Sequence, residues 1–272
     1  MKNKNVLIYL AVLVVVLALS LSPALARNLN NSEEQEVPEK EGVYDVKGHP
    51  GVKLRVFIHQ AKPSPIPATS LACNIPDPDS SAVVGGAGWK ISTSVPWVYR
   101  LNIFSVPSSV GSANLPTIAN NAYGAWRQAA TTKVSFSNGG NTSVNRAKRD
   151  SQNIIAWGAA PSSALAVSYI WYNNSNGLAL EVDTIMNKKY PWAWSNPGTW
   201  TEKTPVGTTC AYQNVYDAQD ILTHELGHTM GLDDEYTGEF AYNTMYGYGS
   251  TGQTNADTLT RGDVTGVQNL YQ

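Results

Sequence analysis

Two histidines four positions apart, His224 and His228, stand in the stretch Thr223-His224-Glu225-Leu226-Gly227-His228-Thr229-Met230-Gly231-Leu232-Asp233-Asp234. On a helix this spacing puts both imidazoles on one face about one turn apart, where both reach a single ion. It is a zinc-site spacing. Glu225 follows the first histidine and lies beside such an ion without being needed to hold it, which suits a general base acting on a water at the metal. A purely structural metal site has no use for that carboxylate. Gly231 falls three residues after His228, where helices commonly end in a left-handed turn that glycine adopts without penalty, and the chain can then swing back toward the ion.

The third ligand has to be of another type. The chain has only four histidines, and the other two, His49 and His59, lie far upstream in a region read below as outside the mature core. A carboxylate oxygen is therefore the expected donor. Asp234, three residues beyond Gly231, is the best placed; Asp233 and Glu235 flank it one residue off the spacing and compete for the role.

Taken together, His224-Glu225-x-x-His228-x-x-Gly231-x-x-Asp234 resembles the extended motif of the metzincin zinc metallopeptidases, closest to matrixin-like (or snapalysin-like) members, with Asp as third zinc ligand. The resemblance implies an α+β domain: a twisted mixed sheet with an edge strand over a zinc-binding helix, a tight methionine turn and a C-terminal helix. Asn243-Thr244-Met245-Tyr246-Gly247 matches the turn and makes Met245 a hydrophobic floor for the metal. Some metzincins use a tyrosine two residues past that methionine as an extra ligand; here the position is Gly247, so the role is not carried over. The implied activity is hydrolysis of peptide bonds without a covalent intermediate, one catalytic zinc held by His224, His228 and Asp234, and Glu225 moving the proton from water to the leaving amine. Structural calcium is compatible with the resemblance, but no residue pattern marks it. The alternative reading is a secreted peptide-binding or adhesion module with an inactive or structural metal site, and the intact Glu225 speaks against it.

Composition bounds the partners. With 272 residues, 42% of them hydrophobic, the chain can bury a substantial core. A net charge of −2 gives no electrostatic reason to expect nucleic acid or an anionic membrane surface. Polypeptide substrates and a monomer are expected.

Met1 to Ala26 reads as a signal peptide: Lys2 and Lys4, the apolar run Val6 to Leu21, and a small-residue cleavage site at Ala24-Leu25-Ala26. Secretion is expected, with anchoring by an uncleaved N-terminal segment as the alternative. Residues 27–80 read as a pro-segment or N-terminal extension, rich in glutamate at first, with a strand pattern at Val52 to Ile58. Residues 81–272 read as the catalytic domain. Cys73 and Cys210 are the only cysteines and form a candidate disulfide in an exported protein. Cys73-Asn74-Ile75-Pro76-Asp77 also resembles the latency segment of matrix metalloproteinases, although Ala72 and Asn74 depart from that pattern, and both readings stay open.

The elements that must position the motif follow from periodicity. Trp97 to Ile103, a strand starting at Lys133 to Phe136, and Asn153 to Trp157 read as strands, with Asn138-Gly139-Gly140 as a turn. Leu115 to Ala130 reads as a helix with Pro116 in its first turn. Leu165 to Tyr172 and Leu178 to Met186 read as a hairpin, and the resemblance makes Leu165 to Tyr172 the edge strand that receives substrate. Tyr190, Trp192, Trp194 and Trp200 read as packing or as groove lining. Tyr216 to Gly231 is the expected metal helix, and Thr260-Arg261-Gly262-Asp263 reads as the capping box of a last helix.

Overall fold

The computed structural model describes residues 37–62, 78–196 and 214–272; the expected signal peptide, Cys73, Trp200 and Cys210 lie outside these residues. Ten strands form among the described residues, β1 (Gly42–Asp45), β2 (Val52–Ala61), β3 (Trp97–Leu101), β4 (Phe136–Asn141), β5 (Asn153–Gly158), β6 (Ala164–Asn173), β7 (Ala179–Asn187), β8 (Trp192–Ala193), β9 (Tyr216–Asp217) and β10 (Tyr248–Gly249). The α-helices among the described residues are α1 (Leu115–Ala129), α2 (Ala218–Met230) and α3 (Arg261–Leu270). No helix among the described residues is long and apolar enough to cross a membrane.

The main sheet has the order β1-β2-β6-β7-β5-β3-β4, with β10 added beside β2. Pairing is parallel between β4, β3, β5 and β7, and antiparallel between β7, β6, β2 and β1. Such a mixed sheet has a reason in its connections: α1 returns the chain for a parallel neighbour, whereas the short link from β6 to β7 makes a hairpin. One face of the sheet packs on α1 and α2 through Leu101, Ile155, Trp157, Leu165, Ile170, Trp126, Leu222 and Leu226, all in one buried cluster. A second cluster, with Leu54, Val56, Ile154, Ala156, Val167 and Ile185, covers the opposite face.

Two expectations change. Asn138-Gly139-Gly140 is not a turn but the middle of β4, paired with β3 around an irregularity between Tyr99 and Leu101. A side chain at Gly139 would press to 2.7 Å on Val98 Cγ1, so glycine here permits close strand approach. The second change concerns β6. It is not the edge of the sheet, because β2 pairs along its whole length, from Val52 opposite Asn173 to Gln60 opposite Ala164. Period-two alternation in Val52 to Ile58 identified a strand, but its partner is more than 100 residues away and leaves no local trace.

The aromatic group after the hairpin mostly packs. Trp192 is buried, meets Trp157 edge-on at 5.9 Å and donates its indole N–H to the Asn187 carbonyl at 2.8 Å. Trp194 packs partly against the same core and donates to Gln219 Oε1.

Candidate metal centre

Helix α2 is buried on every side, so its position is fixed by packing and not by amphipathicity. Asp217 caps its N-terminus, accepting from the backbone N–H groups of Gln219 and Asp220 at 2.8 and 3.1 Å, and from Ser195 at 2.7 Å. Burial pushes the Asp217 carboxyl up to about 6 against those bonds. Gly231 ends the helix at φ 100°, in the left-handed region, and its N–H returns to the His228 carbonyl. A Cβ there would also lie 2.0 Å from the Trp89 carbonyl oxygen, so two separate constraints demand glycine.

After that turn the chain reverses and is pinned. Asp233 N–H donates to the Gly85 carbonyl, Glu235 N–H to Met245 O, and Gly247 N–H to Glu235 O. The loop therefore runs beside the methionine turn, and Asp234 enters the space above α2. Its side chain is 1% exposed, with Oδ1 3.1 Å from His224 Nε2 and 3.5 Å from His228 Nε2. The flanking carboxylates point elsewhere: Asp233 is half exposed and faces Arg55, while Glu235 accepts from Gly85 N–H.

The two imidazoles are oriented from behind. His224 Nδ1 donates to the Thr244 carbonyl at 2.7 Å and His228 Nδ1 to the Leu232 carbonyl at 3.0 Å. A carbonyl only accepts, so the proton is on Nδ1 and each Nε2 presents a lone pair. His224 Nε2, His228 Nε2 and Asp234 Oδ1 are buried without a hydrogen-bond partner. Three orphaned acceptors converging within 4.8 Å of one another would be costly on their own and suit a divalent cation with nitrogen and oxygen ligands. Tyr236 donates its hydroxyl to the other oxygen, Asp234 Oδ2, at 3.2 Å, which turns Oδ1 toward the histidines. Although burial opposes it, the neighbouring His228 and His224 hold the Asp234 carboxyl well below the usual carboxylate range.

Glu225 lies at the same centre but outside this trio. Its Oε2 accepts from Ser168 Oγ of β6 at 2.6 Å, while Oε1 is buried without a hydrogen-bond partner. Burial raises the carboxyl pKa, but His59, His224 and His228 outweigh it and keep the group below its ordinary value. One carboxylate oxygen is thus held by Ser168, and the other faces His59 Nδ1 at 3.4 Å.

Met245 packs against α2. It is fully buried in the turn beneath α2, where Gly227 leaves room for its sulfur. The turn itself hangs on Asp263 of α3. That carboxylate accepts from Thr244 N–H at 2.9 Å, Met245 N–H at 3.3 Å, Thr260 N–H at 2.9 Å and Thr260 Oγ at 2.6 Å, completing the capping box expected from the sequence. Replacing Asp263 by Ala orphans two turn amides and a cap. A loss of about 3 kcal/mol is expected, read as a lower melting temperature, together with weaker zinc affinity because Thr244 also orients His224.

Two residues at the centre are absent from the local motif. Ser168 reaches Glu225 across 57 positions of sequence, and His59 of β2 places its ring 3.8 Å from that of His224, with Nδ1 3.4 Å from Glu225 Oε1. Burial and His224 push His59 down to about 4, so its ring is neutral. Its position far upstream had set it apart from the core; strand pairing brings it to the centre. Phe57, two residues earlier, stacks on His228 at 3.8 Å with the rings 4° from parallel.

Comparison with curated proteins gave no match. A family model described as Matrixin matches residues 97–272, which spans every element from β3 to α3 and includes the centre just described. The chain belongs to the matrixin family, and is a zinc metalloendopeptidase with the α+β metzincin fold.

Proposed function

We propose that this protein is a secreted endopeptidase whose single catalytic zinc is held by His224, His228 and Asp234 over Met245, with Glu225 as the general base. The observation that carries this reading is the set of three orphaned buried acceptors beside an unpaired carboxylate oxygen. When bound, zinc supplies a Lewis acid beside the scissile carbonyl and makes a neighbouring water easier to deprotonate. Glu225 Oε1 takes the proton of that water while Ser168 holds Oε2, and the same oxygen then hands the proton to the leaving amine. The Nδ1 bonds of His224 and His228 keep their rings from rotating during the cycle. Burial of all four side chains excludes bulk water from the carboxylate.

Export follows from the reading of Met1 to Ala26 as a cleaved signal, with residues 27–80 as an N-terminal extension, residues 81–272 as the catalytic domain, and a monomeric product. The test is cleavage of denatured casein by protein collected from the medium. Cleavage that a zinc chelator abolishes, and that added zinc restores, is the expected result. A fully folded, zinc-loaded protein from which residues 27–80 have been removed and that leaves casein intact would support the binding-module alternative.

A further inference from the structure

A cavity of about 600 Å³ lies along the solvent side of α1, within the size range of sites that hold small ligands. Two kinds of side chain line it. Tyr99, Tyr123 and Phe136 form a column, with ring centroids 4.3 Å apart from Tyr99 to Tyr123 and 4.4 Å from Tyr123 to Phe136. Phe136 ends the column with a half-buried ring. Asn120, Asn121, Gln128 and Gln219 bring amides to the same space. Its charged residues, Arg127 and Asp257, are opposite in sign, so the lining favours no net charge.

Two of these residues point to a ligand. Gln219 is only 3% exposed, and its Oε1 accepts from Asn121 Nδ2 at 2.9 Å and from Trp194 Nε1 at 3.2 Å. Both bonds fix the amide, and its Nε2 donor meets no acceptor among the described residues on the cavity that Gln219 lines. A buried donor left so is costly unless a ligand oxygen receives it. Gly124 stands in the middle of α1, where glycine is disfavoured relative to alanine. A Cβ there would meet no atom within 4 Å, so packing does not require glycine. The missing side chain instead leaves the helix backbone as a low floor of the cavity.

We propose that this cavity binds a neutral oligosaccharide, one sugar ring stacking on Phe136 at the Gly124 floor and its hydroxyls bonding the amides of Asn121 and Gln219. A sugar ring has an apolar C–H face for an aromatic ring, and hydroxyls that donate and accept as amides do. An extended polypeptide is held through main-chain bonds along a strand edge, whereas the amides here are side chains carried by α1 and α2. Gln219 precedes His224 by five residues, about 7.5 Å along the axis of α2, which brings a sugar held here close to a polypeptide at the metal centre. The sugar is the glycan of a glycoprotein substrate or a separate polysaccharide.

The test is calorimetric titration of the protein with cellohexaose, mannohexaose and chitohexaose, and with hexaalanine as the peptide control. At least one sugar is expected to bind with a Kd below about 1 mM. Gly124→Leu fills the floor with a better helix former, so its melting temperature should match or exceed the parent's while affinity falls about tenfold or more. Phe136→Leu keeps an apolar side chain but removes the flat ring, and is expected to weaken binding as much. Failure of all three sugars, binding of hexaalanine alone, or sugar binding that both variants leave unchanged overturns the proposal. Because binding is read directly, it is judged separately from peptidase activity. Cleavage of a denatured glycoprotein with and without its high-mannose glycan then separates the two sources. Faster cleavage of the glycosylated form that Gly124→Leu erases assigns a substrate glycan, and equal rates with sugar binding intact assign a separate polysaccharide.

Discussion

Replacing Glu225 by Gln is expected to lower kcat/KM by about 10²- to 10⁴-fold while zinc content stays the same. The amide keeps the length of the side chain and an oxygen to accept from Ser168 Oγ, so the geometry of the centre persists. What disappears is the ability of the second oxygen to take a proton. In energy the loss is about 3 to 5 kcal/mol of transition-state stabilisation. Stability should not fall with it. Glu225 is fully buried, and a neutral amide costs less to desolvate than a carboxylate, so the melting temperature of the variant is expected to equal or exceed that of the parent. Steady-state kinetics, metal analysis and thermal denaturation on the same preparation separate these effects. A variant with near-parental kcat/KM would remove Glu225 from its role.

Gly227→Ala is expected to have the largest effect on the scaffold. A Cβ at this position would lie 2.1 Å from Met245 Sδ and 2.8 Å from Trp126 Cζ2. Both neighbours are fully buried, and the Trp126 indole N–H is tied to the Thr223 carbonyl at 2.8 Å, so neither can simply retreat. Alanine favours helix over glycine by about 1 kcal/mol. Overpacking at a site this tight costs about 3 kcal/mol or more, which wins. A net loss of about 2 kcal/mol lowers the melting temperature by about 4 to 8 °C in a domain of this size. The methionine turn must also shift, and with it Thr244 and the bond that orients His224, so zinc affinity should fall together with stability. Pairing the substitution with Met245→Ala removes the clashing sulfur, and the cost of Gly227→Ala should be clearly smaller in that background. An equal cost in both backgrounds would mean that the turn does not pack as described.

The contrast between what the sequence declared and what it hid has a physical basis. His224, Glu225, His228 and Gly231 are readable because helix geometry converts their spacing directly into position, and the turn at Gly231 carries Asp234 only three residues further. The capping box at Thr260 and Asp263 is similarly local, although its second task, holding Thr244 and Met245, is not. Alternation at Val52 to Ile58 and the β-rich run Leu165 to Tyr172 each mark a strand, yet neither pattern states which strand lies alongside. Ser168 and His59 therefore went unnoticed as neighbours of Glu225, since sheet pairing and layer packing alone bring them there. The resemblance makes β6 an edge strand, and no local pattern in the sequence reveals that β2 pairs along it. The glycine pair in β4 misled for a different reason: glycine marks both turns and close strand contacts, and only the position of Val98 decides between them.

The most direct measurement is the zinc content of purified, dialysed protein carrying Asp233→Ala, Asp234→Ala or Glu235→Ala in turn, compared with the parent. Asp234 alone of the three aims an oxygen at both Nε2 atoms. Parent, Asp233→Ala and Glu235→Ala should each hold about one zinc per chain, and Asp234→Ala should lose most of it while remaining folded by circular dichroism. Full zinc in Asp234→Ala, with loss in either neighbour, would contradict the His224, His228 and Asp234 centre.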